Sequence, residues 1–357
     1  MARGAERAFV TDAGLQRLRS AFKAVWWTTT GVAARGVADP ERSRAFQFET
    51  PAPPRGAQRH GWMEAFRKDV EDVGAGLYPA SEPLFADPVE ALRAVSDFLR
   101  DAREVEARRR RNGGVEARAE EGADGYPAYY RQNFHYQSGG WFTRDSAKRY
   151  EPQVEALFSG TAGAMRRRAL SLLAKAWRAR DQRGLKVVDL ACGSGAFLRD
   201  LKGAFPRASV MGLDLSPAYI VEAKAMAEAP VIQANIERLP FAANTLDGAT
   251  CVYLFHELPP RLRPEIAAEI ARVLKPGGVL ALADSVQPVD QPDLARLLEA
   301  FPAFFHEPYY ESWCAEDVPS LFGMAGLELV ETDVAFLTKA WLFRKREVKT
   351  NGASFAR

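Results

Sequence analysis

From Ala162 onward, short apolar runs alternate with stretches in which apolar residues return every three or four positions, a pattern of buried strands separated by surface helices. The runs Lys186 to Leu190, Ser209 to Leu213, VIQA from Val231, LDGATCVYL from Leu246 and VLALAD from Val279 are brief and bounded by turn residues, as parallel strands covered on both faces are. Helices fill the gaps. One runs from Ala162 to Arg180, with Arg166, Arg167, Arg168 and Arg178 on its outer face, and a short one follows the turn at Ala196. Ser216 and Pro217 form an N-cap and first-turn pair opening a helix through Met226, and Pro264 starts EIAAEIARVL, which KPGG stops. Pro292 to Phe305 and Glu316 to Ala325 read as two more helices, the second closed by Gly326. LELVETDV and AFLTKAWLFRK then form a final hairpin, because their connection is too short for a crossover.

The amino-terminal third has the helical period without the strands. Leu15, Leu18, Phe22 and Val25 mark one amphipathic helix, followed by WWTTTG as a strand or a loop packed on it. Thr50 to Gly61, rich in proline, glycine and charge, reads as a linker or exposed loop. A helix from Trp62 to about Val73 carries Phe66 and Val70 on one face. Asp87 before Pro88 opens another through Val89, Leu92, Val95 and Leu99 to Arg110, which Asn112, Gly113 and Gly114 stop. EARAEEGADG, with almost nothing apolar, reads as a mobile loop or linker and marks a boundary between a helical region, 1–122, and a core, 123–350. Tyr126 to Trp141 then holds six aromatics and His135 in sixteen residues, either core packing or a lid hinged at Gly139 and Gly140.

Composition narrows the class. A chain of 357 residues that is 47% hydrophobic can build a full core plus an extension, and a net charge of +2 does not indicate a nucleic-acid surface. The basic run Arg108 to Arg111 is the local exception, and a solvated helix end is its plainer reading. Cys192, Cys251 and Cys314 have neither disulfide-framework nor zinc spacing, so no metal is expected. MARGAERAFV lacks a secretory apolar region, and no run approaches the roughly eighteen apolar residues of a membrane span. The expectation is a soluble, cytoplasmic protein without a membrane partner.

The chemistry concentrates between Leu185 and Asp214. Gly193 and Gly195 allow a tight turn that a ligand can approach closely, and Asp214, about twenty residues on from them, is placed to accept hydrogen bonds from ribose hydroxyls. A dinucleotide fingerprint needs a third glycine where this chain has Leu198. Asp189 would repel a phosphate but suits a ligand carrying an ammonium and a sulfonium. With DLACGSG from Asp189 to Gly195, the chain resembles the class I S-adenosylmethionine (SAM)-dependent methyltransferases from about Arg144 to Lys345.

That resemblance implies a Rossmann-like α/β sheet, mostly parallel with the last strand antiparallel, an α-helical N-terminal extension, and SAM as cofactor. It implies cofactor contacts from Asp189, Ala191, Gly193, Gly195 and Asp214, with Leu215 and Ile236 as apolar walls around the base. Asn235 stands where the family often has an acid; its amide oxygen either accepts from the adenine amine or merely forms a turn. Leu254 to Pro259 should line the cleft, because open α/β sheets bind ligands at strand carboxyl ends.

Methyl transfer from an activated sulfonium is mainly a matter of alignment, worth roughly 7 to 11 kcal/mol in well-oriented systems. A base helps when the acceptor is a hydroxyl or a protonated amine. His256 is the candidate, with Glu257 behind it; a structural histidine bonded to a carbonyl is the plainer reading. His135, Tyr136, Trp141 and His306 are candidates for acceptor or lid contacts. A small-molecule acceptor leads. Protein or RNA methylation, and SAM binding without turnover, stay open, as does a homodimer through the N-terminal helices.

Overall fold

The computed structural model describes residues 2–36, 46–85 and 87–347, so the expected end of the core at residue 350 lies outside the described residues. Helix α1 spans Ala2–Arg35, α2 Ala57–Gly74, α3 Pro88–Arg110, α4 Arg144–Leu157 and α5 Ala162–Ala176. Strand β1 (Lys186–Leu190) leads through α6 (Ala196–Ala204) to β2 (Ser209–Asp214), and α7 (Pro217–Ala227) leads to β3 (Val231–Gln233). Strand β4 (Leu246–Val252), α8 (Arg263–Val273) and β5 (Leu274–Ser285) follow. Helices α9 (Ala295–Phe304), α10 (Tyr310–Cys314) and α11 (Val318–Met324) precede the hairpin of β6 (Leu327–Ala335) and β7 (Thr338–Lys345).

The strands form one seven-stranded sheet in the order β3-β2-β1-β4-β5-β7-β6. Strand β7 runs antiparallel to both neighbours and the remaining pairs are parallel, as expected. The order reverses between β1 and β4, which opens a crevice at their carboxyl ends. One core fills the face covered by α5, α6 and α7, and a second fills the face under α8 and α11. KPGG, expected as a stop before the fifth strand, lies inside the start of β5, where pairing shifts register between Leu246 and Gly248.

Several expectations about the helices change. WWTTTG is neither strand nor loop but the last turns of α1. Thr29 and Thr30 donate their hydroxyls to the carbonyls of Val25 and Trp26, at 2.8 and 2.9 Å, and Trp27 is buried against Phe98 and Ala156. The expected linker 50–61 ends early, since α2 begins at Ala57 after Gly56 in a left-handed conformation. The expected mobile loop after α3 is ordered instead: Ala117 is fully buried, its N–H donating to Asn133 Oδ1 at 2.7 Å, and Glu116 receives both Arg108 and Arg111. The Asp87 cap behaves as expected, accepting from Val89 and Glu90 N–H groups at 2.8 Å.

The largest correction concerns α5, where three of the four arginines expected on the outer face do not face solvent, while Arg178, just past its end, is exposed as expected. Helix α2 covers that face, and Arg166, Arg167 and Arg168 are buried against acids. Arg166 pairs with Glu151 at 2.7 Å, Arg167 with Asp69 at 2.6 Å and Asp200 at 2.9 Å, and Arg168 with Asp72 at 2.9 Å and Asp333 at 3.2 Å. The N-terminal helices are thereby tied to the back of the sheet by buried charge as well as by apolar contact.

Candidate active site

Strand β1 ends at Leu190, and the chain then turns with Ala191, Gly193 and Gly195 all at positive φ (55°, 54° and 87°). The two glycines do different work. A Cβ on Gly193 would meet nothing within 4 Å and would project into the cleft, whereas a Cβ on Gly195 would come 2.7 Å from Ala223 Cα in α7. Gly195 is therefore a packing position rather than a cleft wall. Asp214, at the end of β2, accepts from Gly193 N–H at 2.9 Å and Ser216 N–H at 2.8 Å, which holds the turn and aims the carboxylate into the crevice. Burial raises its pKa despite those bonds. Asp189 lies one layer below. It is 2% exposed, accepts from Thr250 Oγ1 at 2.7 Å, and is pushed up to about 7 by burial, so it supports the turn from beneath.

The crevice encloses about 110 Å³, lined by Ala191, Gly193, Asp214, Leu215, Asn235, Ile236 and Leu254 among others. Asn235 also forms a turn: its Oδ1 accepts from Glu237 N–H at 2.9 Å. The aromatic segment closes the opposite side. Tyr129, Tyr130, Phe134 and Trp141 line the crevice, and Trp141 packs edge-on against Tyr150 and Tyr219 at 5.8 and 5.4 Å. Core packing and cover are thus one structure. The expected glycine hinge is not what the glycines provide. A Cβ on Gly139 would strike Thr143 Oγ1 at 2.4 Å and one on Gly140 would strike Ala117 Cβ at 2.8 Å, with both residues at positive φ. They are required by close packing.

A second cavity of about 420 Å³ adjoins the first, and Tyr150, Tyr253 and Glu257 line both. Its walls are mostly apolar, built by Phe98 and Val105 of α3, Val154 and Ala156 of α4, and Leu298 and Phe301 of α9, with Gly31 and Ala34 of α1 closing one side. Its inner end is polar. His256 sits in the short turn Phe255–Glu257 after β4, buried, with Nδ1 at 2.6 Å from Asp284 Oδ1; Asp284 Oδ2 also accepts from Phe255 N–H at 2.9 Å. Burial alone would lower this imidazole, but the charge and hydrogen bond of Asp284, with Glu307 and Glu257 nearby, raise it to about 9. Glu257 is held well above the usual carboxylate range, first by burial and then by Glu307 and Asp284.

Of the remaining candidates, His135 lines the larger cavity, while Tyr136 and His306 line neither. Tyr136 is buried with its carbonyl accepting from Arg108 at 2.7 Å, and His306 Nε2 lies 2.7 Å from Gln132 Oε1. The sequence reading missed Tyr150, Tyr253, Asp284 and Glu307. Asp284 carried a usable signal, since it closes VLALAD at the carboxyl end of the strand beside β4.

Residues 187–278 match the methyltransferase domain family. The chain is 30% identical over 172 residues to a demethylmenaquinone methyltransferase of Listeria monocytogenes serotype 4a, covering 44% of this chain and 72% of that protein. It is 39% identical over 106 residues to an uncharacterized methyltransferase of Synechocystis, covering 29% of this chain and 49% of that one. The match thus spans about half the length of that relative. Magnesium protoporphyrin IX methyltransferase of Synechocystis, solved with S-adenosylhomocysteine, aligns at a TM-score of 0.41 and 18% identity, over 52% of this chain and 84% of that one. The protein belongs to the class I SAM-dependent methyltransferases, and its cofactor is SAM. The open space at Gly193 and the inward Asp214 carboxylate fit that cofactor.

Proposed function

We propose that the protein transfers a methyl group from SAM to an O, N or C atom of a small, largely apolar molecule held in the larger cavity. The observation that carries this is the shared wall: Tyr150, Tyr253 and Glu257 face both the cofactor crevice and an apolar chamber. Chambers of this kind take small molecules rather than macromolecular surfaces. The relative named a demethylmenaquinone methyltransferase supports an acceptor with an apolar body. The basic run of α3 supports the same reading, since Arg108 and Arg111 are engaged by Glu116 rather than offered to nucleic acid.

SAM supplies an activated methyl group. Gly193 would leave room for the cofactor, Asp214 would hold its ribose, and Leu215 and Ile236 would flank its base. Tyr130, Phe134 and Trp141 exclude water from above. His256, oriented through Nδ1 by Asp284, takes the acceptor's proton at Nε2 as the new bond forms. Glu257 stands beside it at the wall between the chambers. The division at residue 122 is functional in this reading: the region before it supplies the wall that α1 and α3 contribute to the acceptor chamber. The expected setting is the cytoplasm, and a second copy of the chain is the expected partner, through α1.

Incubating cell extract with the protein and deuterated-methyl SAM tests the reading. A labelled apolar metabolite that persists after nuclease and protease treatment is expected; label found only on RNA or protein overturns it.

A further inference from the structure

Three consecutive residues of the turn after β1 are held in three different ways. Gly195 is fixed by its packing on Ala223, and Gly193 by the hydrogen bond from its N–H to Asp214. Between them Ser194, 3% exposed and not part of the crevice wall, donates its hydroxyl to Glu151 Oε1 of α4 at 2.7 Å. Helix α6 starts directly behind this turn with glycine at its cap and no side-chain cap. The hydroxyl nearest that helix end reaches back to α4 instead.

Glu151 is itself fixed. Its Oε2 accepts from Arg166 Nη1 at 2.7 Å, and both residues are buried. The Arg166 guanidinium lies over the ring of Tyr150 at 5.9 Å, so the same pair borders the wall shared by the two cavities. Glu155, one turn further along α4, pairs with Lys23 of α1 at 3.5 Å, and a Cβ on Gly160 would meet the Lys23 carbonyl oxygen at 2.6 Å. Helix α4 is thereby clamped between α1 and the cofactor turn.

Stability does not account for the buried pair. Taking two charges out of water costs about as much as their attraction returns, and an apolar pair of the same volume is neutral or better in its place. What an apolar pair cannot do is accept the Ser194 hydroxyl. That bond matters here because the tip of the turn has no packing of its own: a Cβ on Gly193 would meet nothing within 4 Å. Its φ of 54° is held by glycine, the residue with the most freedom to leave it.

We propose that Glu151, held by Arg166, is a positioning residue for the cofactor. Through Ser194 it fixes the turn from behind while Asp214 fixes it from the front, so that SAM meets a preformed site. Glu151 lines neither the crevice nor the larger cavity and acts only through Ser194. The arrangement concerns the cofactor alone and holds for any acceptor.

Calorimetry with S-adenosylhomocysteine on the full chain, beside melting temperatures, tests it. Ser194→Ala should weaken binding on the order of tenfold, as for the loss of one charge-assisted hydrogen bond that holds the site. Glu151→Leu combined with Arg166→Met should weaken it equally while melting near the wild-type temperature, since an apolar pair fills the space without stranding a charge. Adding Ser194→Ala to that pair should cost little more, because the tie is already gone. Glu151→Gln is the rescue. Its amide can hydrogen-bond the Ser194 hydroxyl in either orientation, so binding should stay near that of the wild type although Arg166 loses its paired charge and the melting temperature falls. A purely structural role predicts that affinity follows melting temperature across the set. That result, or wild-type affinity in both Ser194→Ala and the apolar pair, overturns the proposal.

Discussion

At the scale of single residues, the turn after β1 separates two glycines that look alike in sequence. Gly193→Val should fill the crevice and abolish SAM binding, measured by calorimetry, and should lower the melting temperature only by the strain of a β-branched residue at φ 54°, with no steric clash added. Gly195→Val should unfold the protein at a lower temperature, because its side chain would meet Ala223 within 3.0 Å. Asp214→Ala should weaken SAM by roughly 10 to 100 fold, the range expected for losing charge-assisted hydrogen bonds to the ribose. An unchanged dissociation constant would move Asp214 out of the site. The His256–Asp284 pair makes a pH prediction. Only neutral His256 can accept a proton, so with its pKa raised to about 9 the rate should climb as pH rises from 7 and level off above 9. In Asp284→Asn the raising charge is gone, and the midpoint should move toward or below the ordinary imidazole value of about 6.5, with a lower plateau. The same raised pKa contributes stability that is fully present below about 6.5 and is lost as pH rises through about 9.

At the scale of elements, the strands and the closing hairpin were legible because each strand is a short apolar run with turn residues at both ends. The cofactor turn was legible for the same local reason. The arginines of α5 were not: three consecutive bases read as a solvated face, and only the fold reveals that Asp69, Asp72 and Asp333, distant in sequence, converge on Arg167 and Arg168. Nor was the His256–Asp284 pair, since 27 residues lie between its members. The aromatic segment was half legible, its rings evident but their task not. Because Tyr130, Phe134 and Trp141 line the crevice, amide exchange across 126–141 should slow when S-adenosylhomocysteine binds. Equal exchange with and without it would reduce the segment to packing.

At the scale of the whole molecule, α1 presents an inverted face. The side against the protein carries Gln16, Ser20, Trp27 and Thr30, while Leu18, Phe22 and Val25 are 73%, 66% and 71% exposed. Leu15 and Val32 extend that outward stripe, whose positions 15, 18, 22, 25, 29 and 32 alternate by three and four, the spacing of a helix-pairing seam. The stripe is symmetric about a point between residues 23 and 24. Two copies meeting antiparallel across a two-fold axis there would set Leu15 opposite Val32, Leu18 opposite Thr29 and Phe22 opposite Val25. Of the flanking cations, Arg19 donates to the Ser81 carbonyl and Lys23 lies 3.5 Å from Glu155, so neither opposes the approach. Gly31 and Ala34, in the last turns of the same helix, line the acceptor chamber, so a pair joined here would brace its wall. Light scattering should give twice the chain mass for the wild type and the single-chain mass for Leu18→Glu combined with Phe22→Glu, with SAM affinity intact in both. Cysteines placed at Leu18 and Thr29 should cross-link between chains on oxidation. A wild type that stays at the single-chain mass at high concentration, or a failure of those cysteines to cross-link within a dimer, would refute this pairing.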